Sequence, residues 1–155
     1  MADLLNNTNS NANNYGDDAI VTLSPREHIR LRPGMYVGVV GDGSQPDEAL
    51  YVLIKEVVDN SIDEFIMGAG RQIDITLADN VVTVRDYGRG IPLKSLAAAV
   101  GQMNTGGKYG GDAFKKTVGL NGVGVKAVNM LSEEFTARSV RDGEARTVTF
   151  AKGCL

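Results

Sequence analysis

The stretch from Pro46 to Gly70 constrains the fold most. Pro46 can open a helix, Gly68 and Gly70 can stop it near Met67, and nothing between them breaks it. At about 100° per residue, Leu50, Leu53, Ile54, Val57, Val58, Ile62 and Phe65 form one broad apolar face, which predicts a helix buried along that side. Glu56, Asp59, Asn60 and Asp63 gather on the opposite sector, and Glu56 and Asn60 lie side by side one turn apart. A carboxylate beside a carboxamide supplies a proton acceptor and a hard oxygen ligand, which suits a water nucleophile and a Mg²⁺ held by substrate phosphates. An amphipathic helix with a solvated acidic face explains the same residues without any ligand, and the helical pattern alone leaves both readings open.

Around this helix the chain divides into short elements. Residues 1–14 carry six asparagines and no apolar periodicity, which predicts a disordered N-terminal arm, with a domain over 15–155. Ser24-Pro25-Arg26-Glu27 has the pattern of a capped helix start, Arg32-Pro33-Gly34 ends that helix, and Tyr36-Val37 is expected to begin a short strand. Residues 41–45 form a loop. Arg71 to Leu77 alternates with a period of two, Ala78-Asp79-Asn80 turns the chain, and Val81 to Asp86 returns as the second strand of a hairpin. A short helix over Leu93–Val100, a helix over Val123–Leu131 and a second hairpin turning at Arg141-Asp142-Gly143 complete the series. Helices and antiparallel hairpins in succession favour an α+β fold, with helices layered on one face of a sheet, over a doubly wound parallel sheet.

The 155 residues, 43% of them hydrophobic, suffice for one domain core. A net charge of −3 disfavours direct nucleic-acid binding by this segment. Cys154 is the single cysteine, so no internal disulfide exists and a reducing, cytoplasmic setting is expected. His28 is the single histidine, which leaves almost nothing from which to build a histidine metal cluster or a Ser-His-Asp triad. No stretch has the length of a membrane span or the pattern of a signal peptide, so no membrane partner is expected.

Eight glycines crowd residues 101–124, which predicts a long loop of the kind that serves as a lid or is disordered. Its end, Gly119-Leu120-Asn121-Gly122-Val123-Gly124, runs into a helix, so backbone N–H groups there can cradle phosphates; a purely structural loop reads the same way. It is neither a Walker loop, since no Gly-Lys-Ser/Thr follows, nor a Rossmann fingerprint, since no strand precedes it. Asp86 closes a strand just before Gly88-Arg89-Gly90, where a carboxylate can accept from an adenine amino group or simply serve the turn. Arg89 can pair with Glu64 or pack over a base.

Taken together, four motifs resemble the ATP-binding domain of bacterial type II topoisomerase B subunits, the gyrase B and topoisomerase IV B type. That domain lies within the superfamily of chaperone, mismatch-repair and histidine-kinase ATPases. The motifs are Arg32-Pro33-Gly34-Met35-Tyr36-Val37-Gly38, residues 56–64, Asp86-Tyr87-Gly88-Arg89-Gly90-Ile91-Pro92, and residues 119–124. They occur in the family's order, and the resemblance runs from about Tyr15 to the end. It implies a two-layer α/β sandwich of the GHKL (Bergerat) type, mostly antiparallel sheet with helices on one face, C-terminally truncated. It also implies ATP and Mg²⁺ as cofactors, with Glu56 as general base and Asn60 as the Mg²⁺ ligand. Asp86 would accept from adenine, with Val57, Val84, Ile91 and Pro92 lining the base pocket and Arg89 paired to Glu64 at its edge. Lys108 and the segment Gly119, Leu120, Asn121, Gly122, Val123, Gly124 and Val125 would hold the phosphates, and Tyr15 and Ile20 align with an arm that reaches a partner protomer's nucleotide.

The partners implied are a second copy of the chain, bound through that arm, a DNA-cleaving topoisomerase A-type subunit, and DNA through the intact complex. Tyr87, Phe114 and Asn121 depart from the gyrase pattern, which has aspartate, tyrosine and histidine there; with Met103-Asn104-Thr105 they resemble the topoisomerase IV type more. Little or no turnover by this chain alone is expected, because hydrolysis in the family needs a dimer and a lysine from a following domain. The alternative function is a catalytically silent, nucleotide-responsive dimerisation module. A histidine kinase is disfavoured, because His28 does not lie on a phosphoacceptor helix.

Overall fold

The computed structural model describes residues 19–106 and 122–155. Helix α1 (Pro25–Leu31) begins with the expected capping box: the Glu27 amide donates to Ser24 Oγ, and the Glu27 side chain accepts from the Ser24 amide at 2.9 Å. The Ser24 and Glu27 amides are thereby satisfied reciprocally, which fixes where a short helix starts. Helix α2 (Gly34–Val37) replaces the strand expected at Tyr36-Val37. The Tyr36 and Val37 amides both donate to the Pro33 carbonyl, so the turn after Pro33 winds on instead of extending, and Val37 is buried.

Helix α3 (Ala49–Ile66) starts three residues later than Pro46 suggests, because Val39 bridges to Glu48 and its carbonyl takes the Ala49 amide at 2.7 Å. Its burial corrects the amphipathic expectation. The buried residues of α3 are Asp59, Ser61 and Asp63, whereas Leu50 and Phe65 are 53% and 59% exposed and the central apolar residues are half-buried. Helix α5 (Gly124–Leu131) packs against α3 and draws the acidic sector inward, while strand β2 covers the apolar side only in part. Asp59 is reconciled with burial by an ion pair to Lys55 one turn earlier.

Strands β1 (Ile73–Ala78) and β2 (Val81–Asp86) form an antiparallel hairpin turning at Asp79-Asn80, both with positive φ, as a two-residue hairpin turn of matching twist requires. A 3₁₀ turn (Leu93–Ser95) leads into α4 (Leu96–Gly101). Strands β3 (Glu134–Arg141) and β4 (Glu144–Ala151) form the second hairpin, turning at Asp142-Gly143. Among the described residues β1–β2 and β3–β4 pair antiparallel, as expected for the α+β class, and the two hairpins are separate two-stranded sheets.

The inner face of the β3–β4 hairpin supplies Val148 and Phe150, which close on Leu96 and Val100 of α4. Phe150 meets Phe135 edge to face at 6.3 Å. Helix α5 lies centrally, against α1, α3 and α4. Arg30 donates to the Met130 carbonyl at 2.7 Å, which ties α1 to the C-terminal end of α5 and satisfies a helix-end carbonyl.

Candidate functional site

Helix α3 carries the site on two neighbouring sides. Toward α5, the Glu56 carboxylate lies against Gly124 so closely that a methyl group there would overlap it, with Glu56 Cδ at 2.5 Å. Only glycine at the first residue of α5 admits this approach. One turn on, Asn60 is exposed and donates from Nδ2 to the Glu56 carbonyl at 2.7 Å, which orients the carboxamide beside Glu56.

Toward β2, Ser61 donates to Asp86 Oδ2 at 3.4 Å, and Asp86 Oδ1 accepts the Gly88 amide at 2.9 Å. Asp86 is therefore oriented from both sides at the end of the hairpin. Glu64 holds the following turn: it accepts from Arg89 Nε at 3.0 Å, Arg89 Nη2 at 2.8 Å and the Arg89 amide at 3.0 Å. This resolves the Arg89 alternative in favour of the ion pair. The Arg89 guanidinium holds the Glu64 carboxyl below the usual glutamate range against the opposing effect of partial burial, and Glu64 raises Arg89 in turn. Gly88 is needed here, since a Cβ would stand 2.8 Å from Glu64 Oε2.

The second hairpin closes over the same turn. Ser139, which is buried, donates to the Ile91 carbonyl at 2.7 Å, Arg141 donates to the Gly90 carbonyl at 3.3 Å, and a Cβ at Gly90 would lie 2.5 Å from the Val140 carbonyl oxygen. Val57 and Val84 are half-buried behind it, while Ile91 and Pro92 remain exposed. A cavity of about 210 Å³ opens beside Asp86 between Ser61, Phe65, Gly70 and Tyr87. Neither Glu56, Asn60 nor Gly124 lines it, so the cavity flanks Asp86 rather than joining it to the carboxylate at α5. Tyr87 is engaged outside the turn: its hydroxyl donates to Asp74 Oδ2 at 2.7 Å, and Arg85 lies 4.6 Å over its ring. Gln72 and then Tyr87 lower Asp74, and Asp74 raises the Tyr87 phenol.

Gly124 and Val125 open α5, Val123 is its cap residue and Gly122 precedes it, and Glu56 meets Gly124. Tyr15, Lys108, Phe114, Gly119, Leu120 and Asn121 lie outside the described residues. So do the disordered arm expected over 1–14 and most of the glycine-rich loop. Three residues at the site escaped the sequence reading. Ser61 follows Asn60 directly and had a visible signal, a hydroxyl inside the acidic motif. Ser139 had none. Lys126 is 2% exposed, a lysine set among the apolar Val125, Ala127 and Val128, and that apolar setting was the signal.

Residues 45–152 match the family described as histidine kinase-, DNA gyrase B-, and HSP90-like ATPase. The chain belongs to this family. Among relatives of this chain, the B subunit of DNA topoisomerase 4 from Borreliella burgdorferi is 56% identical over 142 residues, covering 92% of the chain. The B subunit of DNA gyrase from Rickettsia conorii is 43% identical over 152 residues, also covering 92% of the chain. The chain spans 24% and 18% of the lengths of these two relatives. The 43K ATPase domain of Thermus thermophilus gyrase B, solved with an aminocoumarin, is 28% identical and superposes with a TM-score of 0.66 over 83% of this chain and 32% of its own. The α+β fold of antiparallel strands and helices is thus that of a gyrase B ATPase domain. No helix among the described residues is long and apolar enough to cross a membrane.

Proposed function

We propose that this gyrase B-like ATPase chain binds MgATP and forms, over residues 15–155, part of the ATP-hydrolysing domain of a type II DNA topoisomerase B subunit. The observation that carries the reading is the Glu56 carboxylate seated against Gly124, at the end of the glycine segment that leads into α5. A proton acceptor is thereby held beside a backbone suited to phosphates. In the reaction, Glu56 takes the proton of a water whose oxygen attacks the γ-phosphorus. The bond from that phosphorus to the β–γ bridging oxygen breaks, and ADP and phosphate leave.

The donor chemistry of Asn60 fits Mg²⁺, which takes one or two protein oxygens and fills its remaining positions with phosphate oxygens and water. Among the described residues no cluster of acidic, histidine or cysteine side chains competes for the ion. Mg²⁺ supplies charge neutralisation on the phosphates. Asp86 accepts from the adenine amino group, Val57, Val84, Ile91 and Pro92 line the base, and Glu64 keeps Arg89 at the edge of that pocket. Lys108 and residues 119–125 hold the phosphates, and Tyr15 belongs to the arm of a homodimer. The whole assembly pairs with an A-type subunit to pass DNA, in the cytoplasm.

Glu56→Ala tests the assignment: MgATP affinity measured by calorimetry is retained while phosphate release in the dimeric full-length protein is lost. Wild-type binding without turnover in that dimer favours instead a silent dimerisation module.

A further inference from the structure

The side chain of Lys126 is buried in the first turn of α5, at 2% exposure. A buried ammonium is costly unless hydrogen-bonded, and the positive end of a helix is a poor place for a cation. Two main-chain carbonyls offset that cost: Nζ donates to Thr105 O at 2.7 Å and to Gly122 O. Thr105 and Gly122 both belong to the glycine-rich stretch over 101–124, so one side chain joins a residue near its start to one near its end. Gly122 has φ +59, a conformation that glycine adopts without strain and that lets its carbonyl turn inward.

Peptide planarity gives this contact a consequence. In a trans peptide the C=O of one residue and the N–H of the next point in opposite directions. With the Gly122 and Thr105 carbonyls turned onto the ammonium, the Val123 and Gly106 amide hydrogens point away from it. Gly124, the next residue after Val123, is the one that meets Glu56. We infer that Lys126 is a positioning residue for the phosphates of the nucleotide: it sets the direction of the Val123 and Gly106 amides and places a fixed positive charge behind them. It acts through the backbone, and its role rests on the ATP-binding reading above. Asp86 lies on the neighbouring side of α3, toward β2, and is held by Ser61 and the Gly88 amide, neither of which Lys126 bonds.

Calorimetry on the 155-residue chain with MgATP and with adenosine separates a phosphate role from a general one. Lys126→Met is expected to weaken MgATP about tenfold or more, the scale of a lost hydrogen bond to a charged group, and to leave adenosine within about twofold. Lys126→Arg, which keeps the charge and donors, restores most of the MgATP affinity. Lys126→Gln, which keeps one donor for a carbonyl, gives the same ratio of affinities where the methionine variant does not fold. Equal losses for both ligands, no loss for either, or failure of both neutral variants to fold each overturn the inference. A wild-type chain that binds MgATP, together with an unchanged ratio in the variants, overturns this inference alone; a wild-type chain that binds neither ligand overturns the ATP reading with it.

Discussion

At the scale of single residues, glycines and carboxylates decide what can approach what. A Cβ on Gly124 collides with the end of the flexible Glu56 side chain, which can swing aside at little cost. Gly124→Ala is therefore expected to keep the fold and most of the nucleotide affinity while lowering turnover about a hundredfold, the scale of a displaced general base; steady-state phosphate release by the dimeric full-length protein beside a binding isotherm checks it. The Glu64–Arg89 pair makes a pH prediction. Its folded carboxyl titrates below the unfolded value of about 4.3, so the stabilisation is fully present above that value and is lost as pH falls through the lowered folded one. Urea midpoints of wild type and Glu64→Gln should differ near neutrality and converge in that acid window.

Sequence named the partners of these contacts but not all of the pairings. Arg89 had two roles open to it from local pattern, the resemblance implied Glu64 as its partner, and the fold brings the two together with three hydrogen bonds. The burial of Lys126 and the bond from Ser139 to Ile91 join residues distant along the chain, which local pattern does not encode.

Elements whose ends are set by local chemistry were legible. The capping box at Ser24 and the two hairpin turns lie where sequence places them, because each rests on hydrogen bonds or φ preferences within a few residues. Gly143 has φ +80 in the second turn. Gly143→Ala is expected to cost about 1–2 kcal/mol, the penalty for a side chain in the left-handed region, measured as a fall in the chemical-denaturation midpoint. Tyr36-Val37 went the other way. Two β-compatible residues suggested a strand, yet the Pro33 carbonyl captures both of their amides and a helical turn results. The exposed and buried sides of α3 were likewise not those of its apolar pattern, because α5 packs against its acidic side.

On the scale of the whole molecule, the best-closed core joins α4 to the second hairpin. Phe150→Ala should cost about 3–5 kcal/mol, a large part of the 5–15 kcal/mol or so that holds a domain, and leave a sizeable unfolded fraction by circular dichroism. Leu50→Ala, on the expected apolar face of α3, should change stability by no more than about 0.5 kcal/mol, since that side chain is 53% exposed.

The sequence by itself determined the α+β class, the hairpins, the first helix cap and the four motifs that carry the ATPase resemblance, because each is written in periodicities, turn residues or contiguous strings. Tertiary structure alone decided that Glu56 meets Gly124, that Lys126 reaches Thr105 and Gly122, and that Asp59, Ser61 and Asp63 are the buried residues of α3. Those outcomes depend on which elements pack together, and packing is a competition between distant surfaces that no local window of residues contains.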